Sequence, residues 1–171
     1  MNLYVRLLIV LIRARFGAAL DALDTARTPF RVWPHDCDVN LHMNNGRYAT
    51  LMDLGRVDLM ARAGFLGALR SERMHPVVTA QHLTYRRSLE PFRRFVLETR
   101  VLGWDERVIM LEQSFVHRGR IAARGYVQAL FLDANGRVPN DRIMSLLGVN
   151  EHVPIPGEIA ALFPATAKIV D

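Results

Sequence analysis

A chain of 171 residues has room for one domain with a substantial core and is cramped for two. Half of its residues are hydrophobic and 23% are charged, an ordinary globular balance with no low-complexity tract or internal repeat. The formal charge of +5 rests on many arginines and a single lysine, Lys168, and a lone cysteine, Cys37, excludes intrachain disulfides and thiolate zinc clusters.

Such a basic surface admits an anionic ligand, nucleic acid or an acidic membrane, and selects none of them. The cysteine count favours the cytosolic side of a membrane. Cys37 itself lies between Asp36 and Asp38, whose charges would raise a thiol pKa, so it reads as inert.

In chain order, residues 1–16 come first. The uninterrupted apolar run is Leu7 to Ile12, flanked by Arg6, Arg13 and Arg15. A membrane span needs roughly 20 apolar residues, so this run is too short to cross. Arginines following it, with no small-residue cleavage site directly after the run, argue against a secretory signal. Two readings stay open. The segment is a helix packed on the domain or on a dimer partner, or it lies in a membrane interface with its arginines among the headgroups.

Residues 18–28 are a mixed connector, and Phe30 to Trp33 reads as a short strand closed by Pro34. His35 to Asn45 is polar and irregular. From Tyr48 to Ala63, Tyr48, Leu51, Met52, Gly55, Leu59 and Met60 recur at helical spacing, and Leu54 and Val57 add apolar character elsewhere. This helix is expected to be buried nearly all round, with Asn44 or Asn45 as N-cap and Gly64 as its stop. After a loop ending at Pro76 the period becomes strand-like, in the runs Val77 to Tyr85, Phe95 to Leu102, Val108 to Val116 and Ile121 to Leu132. Glu90-Pro91, Gly103 to Glu106 and Arg118-Gly119 separate them, Asn135-Gly136 marks one more turn, and the tail from Val153 to Phe163 is proline-rich and then briefly helical. A helix apolar on most faces must be wrapped, and a long curved antiparallel sheet is the economical wrapper. The predicted class is therefore α+β, in the hotdog arrangement with an extra N-terminal helix: residues 1–28 as helix and connector, residues 29–171 as the domain with its C-terminal tail.

The chemistry concentrates between Pro34 and Tyr48, where two carboxylates, two imidazoles and three carboxamides lie at or just before the start of the buried helix. A helix N-terminus offers unpaired N–H groups and a partial positive charge, suited to the oxygen of an attacked carbonyl. Losing one such oxyanion donor costs about 2.7–4 kcal/mol of barrier. A carboxylate held beside it can activate water or attack the carbonyl itself.

This stretch resembles the hotdog-fold thioesterases, in the group of hydroxybenzoyl-CoA thioesterases and their acyl-CoA relatives. The family pattern is an aspartate-x-aspartate, a His-x-Asn-Asn and a tyrosine opening the central helix. It is met here by Asp36-Cys37-Asp38, His42-Met43-Asn44-Asn45 and Tyr48, followed by Asp53 and Arg56. Tyr85-Arg86-Arg87 and the turn Gly103-Trp104-Asp105-Glu106-Arg107 also look familiar, and the likeness runs from about Pro29 to Pro139. The resemblance implies a catalytic carboxylate at Asp38, a polarising amide near Asn45 and Gly46, and an active site at a dimer interface, hence a homodimer or homotetramer. Many relatives carry glycine just before the histidine, where this chain has Leu41, a departure that alters the shape of the loop. The N-terminal helix lies outside the minimal family domain and resembles a membrane-associated thioesterase-like subgroup.

Substrate contacts are expected from His42, Asn44, Tyr48, Arg86 and Arg87. Each has a plainer reading: loop order for His42, helix capping for Asn44, core for Tyr48, and a solvated strand end for the arginines. Strand alternation would send Arg86 and Arg87 to opposite faces, so at most one reaches a given ligand, such as a coenzyme A phosphate. Asp36 reads as structural. No HExxH or comparable pattern supports a metal, and no cofactor is needed. His75, His82, His117 and His152 show no partner.

The expected function is hydrolysis of acyl-CoA to free acid and CoA, in the cytoplasm or peripherally on the inner face of a membrane through residues 1–16. The alternatives are an acyl-carrier-protein thioesterase and a non-catalytic protein that binds acyl chains or a membrane interface. A hotdog dehydratase rests on fold alone. Nucleic-acid binding is not expected, because no basic motif with interleaved aromatics occurs.

Overall fold

The first element, α1 (Leu3–Phe16), buries a stripe of Arg6, Val10 and Ala14, packs Leu7 against the core beside it, and leaves Tyr4, Leu8, Ile12 and Phe16 exposed. The computed structural model describes residues 3–163, so Lys168 and the end of the expected tail lie outside it. The chain continues through β1 (Ala26–Arg31), a single 3-10 turn (Pro34–Asp36), α2 (Asn45–Arg62) and α3 (Phe65–Ser71). Four long strands follow, β2 (His75–Tyr85), β3 (Arg94–Trp104), β4 (Ile109–His117) and β5 (Arg120–Asp133), then β6 (Gly136–Val138), α4 (Asn140–Leu146) and α5 (Gly157–Ala160). Because β1 begins at Ala26, the sheet starts inside the connector expected over residues 18–28.

All strand pairs are antiparallel, in the order β1-β3-β4-β5-β2, with β6 added to β5. The sheet is curled into a half-barrel about the helical layer, the α+β hotdog arrangement. Asn135-Gly136 turns β5 back onto β6, and two of the other expected turns are hairpins between long neighbouring strands. At Arg118-Gly119 both residues have positive φ (49° and 72°), the backbone that matches the twist of the flanking strands. At the other, Asp105 accepts the Arg107 and Val108 amides at 2.7 and 2.8 Å. The Glu90-Pro91 link is different. It carries the chain from β2 at one edge to β3, whose neighbours are β1 and β4. Pro76, expected to precede the strand, lies within β2, which an edge strand tolerates because one side of its backbone makes no ladder.

The central helix α2 is buried on most faces, through Tyr48, Leu51, Met52, Leu54, Gly55, Arg56, Asp58 and Leu59. Gly55 makes the close approach to the sheet possible: a Cβ there would lie 2.7 Å from both Leu97 and Thr99 of β3. The two charges this burial traps are satisfied. Arg56 donates to Gln113 at 2.6 Å and pairs with Asp53, while Asp58 accepts from the Thr28 hydroxyl at 2.7 Å. Burial pushes the Asp58 carboxyl above its ordinary value and the Arg56 guanidinium below its own. Two short helices fill the ends, α3 through Phe65 and Leu69 and α4 through Ile143 and Met144.

Candidate active site

The segment between β1 and α2 folds into three small units, each enforced by local hydrogen bonds. First, Pro34 opens the 3-10 turn, in which Asp36 N–H donates to the Trp33 carbonyl at 2.8 Å and Trp33 N–H donates back to Asp36 Oδ2 at 2.9 Å. Second, Cys37 and Met43 form an isolated antiparallel bridge. It closes a tight loop in which Asp38 N–H donates to His42 at 2.9 Å and Leu41 N–H donates to Asp38 at 3.0 Å. Third, Asn44 caps α2, its Oδ1 accepting the Gly46 amide at 2.9 Å. The Asn44 N–H donates to the Asp36 carbonyl at 2.8 Å, and Met43 N–H to the Leu89 carbonyl at 2.8 Å, so the cap and the loop are bound together and to the segment before β3.

Asp38 is half-buried on this loop, with Oδ1 accepting the Asn40 amide at 2.9 Å. Asn45 and Gly46 are exposed in the first turn of α2. The carboxylate and the helix N-terminus are thus the two ends of one hydrogen-bonded unit. Of the two expected amides, that of Gly46 is engaged by Asn44. Four concavities of the described residues lie elsewhere. An apolar cavity of about 220 Å³ runs beside the later turns of α2, past Val57, Met60, Leu111 and Phe131, and neither Asp38 nor Asn45 lines any of the four.

Leu41 has φ of +56° and is 68% exposed. This backbone favours glycine, which is the residue the resemblance expects there. A left-handed conformation costs an L-residue about 1–2 kcal/mol, partly offset by the greater freedom of glycine in the unfolded chain. Leu41→Gly is therefore expected to stabilise the protein by about 1 kcal/mol, raising Tm by about 2–4 °C in a thermal melt.

The other expected residues are distributed unevenly. His42 is half-buried and close enough to Glu90 to help hold that carboxyl below its ordinary value, behind the larger effect of Arg93. Tyr48 is in the core, 3% exposed, with its ring 4.8 Å from Phe115 and 5.0 Å from Tyr85, and burial pushes its hydroxyl up to about 12. Arg86 and Arg87 are both exposed just beyond the end of β2, and their amides share the Ala122 carbonyl at 2.8 and 2.9 Å. Strand alternation therefore does not govern them. Arg87 lines a surface concavity with Arg93, Arg118 and Arg120; Arg94 faces a separate trough beside α1 with Arg6, Arg13 and Arg31. The Cys37 thiol is pushed up, by burial first and then by Asp36 and Asp38. Among the described residues no group of three His, Cys, Asp or Glu side chains is placed to hold a metal.

Three histidines without an expected partner have one: His117 Nδ1 lies 2.6 Å from the Arg94 carbonyl, His82 Nε2 lies 3.4 Å from the Thr84 hydroxyl, and His152 meets the Trp104 ring edge-on. Sequence reasoning also missed Arg6 and Arg47. Asp36 is 1% exposed and pairs with the buried Arg6 of α1, with Arg47 Nε 3.5 Å from its other oxygen. The available signal was Arg6 itself, a charge in the same stripe as Val10 and Ala14, which can be buried only with a partner.

A curled antiparallel sheet around a helix whose capped N-terminus adjoins an aspartate loop defines a hotdog domain of the thioesterase type. Residues 32–163 match the model of the thioesterase-like superfamily, and the chain belongs to that family. It is 39% identical over 102 residues to Protein THEM6 of Danio rerio, covering 60% of this chain and 48% of that protein. It thus spans about half the length of the curated relatives it matches. Among solved structures, the probable thioesterase YbaW of Escherichia coli superposes with a TM-score of 0.67 at 17% identity, over 75% of this chain and 98% of that one. The Staphylococcus aureus protein SAV2348, solved in complex with CoA, does so with a TM-score of 0.64 at 14% identity, over 88% and 99%.

Proposed function

We propose that this chain hydrolyses acyl thioesters of coenzyme A, with Asp38 as the catalytic carboxylate and the Asn45 amide at the start of α2 as the oxyanion donor. The observation that carries the reading is the single hydrogen-bonded unit joining the Asp38 loop to the capped N-terminus of an 18-residue helix. In one form of the step, Asp38 takes a proton from water as its oxygen adds to the thioester carbonyl carbon. Negative charge moves to the carbonyl oxygen, where the helix amide and dipole hold it. Collapse breaks the carbon–sulfur bond and releases CoA thiolate, leaving the free acid. In the other form an Asp38 oxygen adds to the carbonyl, the tetrahedral adduct expels CoA thiolate and becomes a mixed anhydride, and water then cleaves the anhydride. Both forms balance without a cofactor.

The CoA preference is supported by Arg87, Arg118 and Arg120 around one concavity, since guanidinium groups pair strongly with phosphate oxygens. The CoA complex of SAV2348 is a fact about that protein and lends the same direction. A second copy is proposed to complete the site. β2 pairs with β5 along one side and offers its other side over 11 residues, none of them buried, and such an edge is a template for a further strand. Sedimentation is expected to give twice the chain mass; a monomer at micromolar concentration contradicts this.

Peripheral membrane contact is proposed for the outer face of α1, where Tyr4, Leu8, Ile12 and Phe16 are exposed beside Arg13 and Arg15. No helix among the described residues is long and apolar enough to cross a membrane. An apolar face edged by arginines suits an anionic bilayer surface. The full chain is expected to co-sediment with vesicles containing phosphatidylserine, and the double variant Leu8→Asp/Ile12→Asp to remain in the supernatant. Absence of the wild-type chain from the pellet contradicts this placement.

The functional test offers the purified chain a panel of acyl-CoA thioesters and the matching acyl-carrier-protein thioesters. Turnover of acyl-CoA is expected. Faster turnover of the carrier-protein donors reassigns the substrate, and copurified lipid with no turnover on either donor favours a binding protein.

A further inference from the structure

We infer that Arg6 of the N-terminal helix is a positioning residue for the active site, acting through Asp36. The inference rests on the proposed role of Asp38.

Asp36 is the junction of the two halves of the site. Its carboxylate accepts the Trp33 amide at 2.9 Å and pairs with Arg6, and its carbonyl accepts the amide of Asn44, the residue that caps α2, at 2.8 Å. Two residues further on is Asp38, whose loop returns through the Cys37–Met43 bridge to that same cap. Displacing Asp36 therefore moves the carboxylate loop and the helix cap relative to each other. Arg6 holds it from outside the sheet-and-helix unit. Its side chain is 5% exposed, and Val10 and Ala14, one and two turns later, seat the same face of α1 on α2. The other cation near Asp36 is more loosely placed: Arg47 stands 3.5 Å away and is much less buried than Arg6. The second carboxylate oxygen of Asp36 has no hydrogen bond, although Arg47 and His35 lie within 4 Å of it.

A buried ion pair is no better for stability, on average, than apolar residues of the same shape. What it supplies is a fixed geometry, and a shift of about 1 Å in a reacting group costs about 100-fold in rate. The N-terminal helix is on this account part of the catalytic apparatus, and the motif's first aspartate is the link.

The test compares the full-length wild type with Arg6→Gln, Arg6→Lys, Asp38→Asn and Ile143→Val, the last a core change in α4 far from the loop. Thioester turnover is measured at a temperature where circular dichroism shows every variant folded, together with amide hydrogen exchange. Arg6→Gln is expected to lower kcat about 10- to 100-fold with KM within about twofold. Arg6→Lys recovers part of the loss, and Ile143→Val keeps the wild-type kcat. In Arg6→Gln, exchange should accelerate at the Asp38, Leu41 and Asn44 amides and stay unchanged along β4. Wild-type kcat in Arg6→Gln, with Asp38→Asn inactive, overturns the role of Arg6 and leaves the catalytic reading standing. Full activity in Asp38→Asn removes both. If Arg6→Gln does not fold, Val10→Ala loosens the same helix while keeping the charge; unchanged exchange in the loop and unchanged kcat in that variant overturn the inference.

Discussion

Asp36→Ala is expected to lower the unfolding free energy by about 3–5 kcal/mol, which for a chain of this size is a Tm drop of roughly 10 °C. The reason is what remains behind. Arg6 would stay in a site where it is 5% exposed, without the carboxylate that neutralises it, and the Trp33 amide would lose its acceptor. Breaking one member of a buried pair costs far more than the pair contributes, because the surviving charge is stranded. The double change Asp36→Leu/Arg6→Met removes both charges and is expected to recover most of the loss. Urea unfolding of the three proteins checks this, and a loss below about 1 kcal/mol in Asp36→Ala contradicts the buried pairing.

Asp38→Asn has the opposite profile. Asp38 is half-buried and its Oδ1 accepts the Asn40 amide, a bond an asparagine carbonyl also makes. Stability should therefore change by less than about 0.5 kcal/mol, the usual scale for substitutions that leave packing and pairing intact. The carboxamide cannot take a proton from water or form an anhydride, so turnover should fall about 100- to 10,000-fold. The two aspartates of one motif thus differ: a change at Asp38 lowers the rate and keeps stability, whereas a change at Asp36 costs stability as well.

Much of the fold was legible in the sequence. The helical period from Tyr48 to Met60 and the four β-rich runs located the central helix and the long strands to within a few residues, because long periodic segments carry a strong signal. Residue type narrowed the cap to Asn44 or Asn45, and the structure has Asn44 in that position. Strand order was not legible from periodicity: β2 and β3 are consecutive in the chain and lie apart in the sheet, and nothing local in Glu90-Pro91 distinguishes a hairpin from a crossing. The short elements α3, α4 and β6 escaped for a related reason. Each buries only one to three side chains, too few to establish a period. The left-handed backbone at Leu41 was visible only as a departure from the family pattern, and its cause is a tight loop closed by the Cys37–Met43 bridge. The partner of Asp36 was hidden because it comes from 30 residues upstream, within a run that otherwise reads as apolar.

Release of CoA from an acyl-CoA panel by the wild-type chain and by Asp38→Asn, assayed side by side at equal folded concentration, tests the convergence of carboxylate and helix amide most directly. Efficient release by the wild type and loss of at least about 100-fold in the variant are predicted. Equal rates from the two proteins contradict the assignment, whatever their stability.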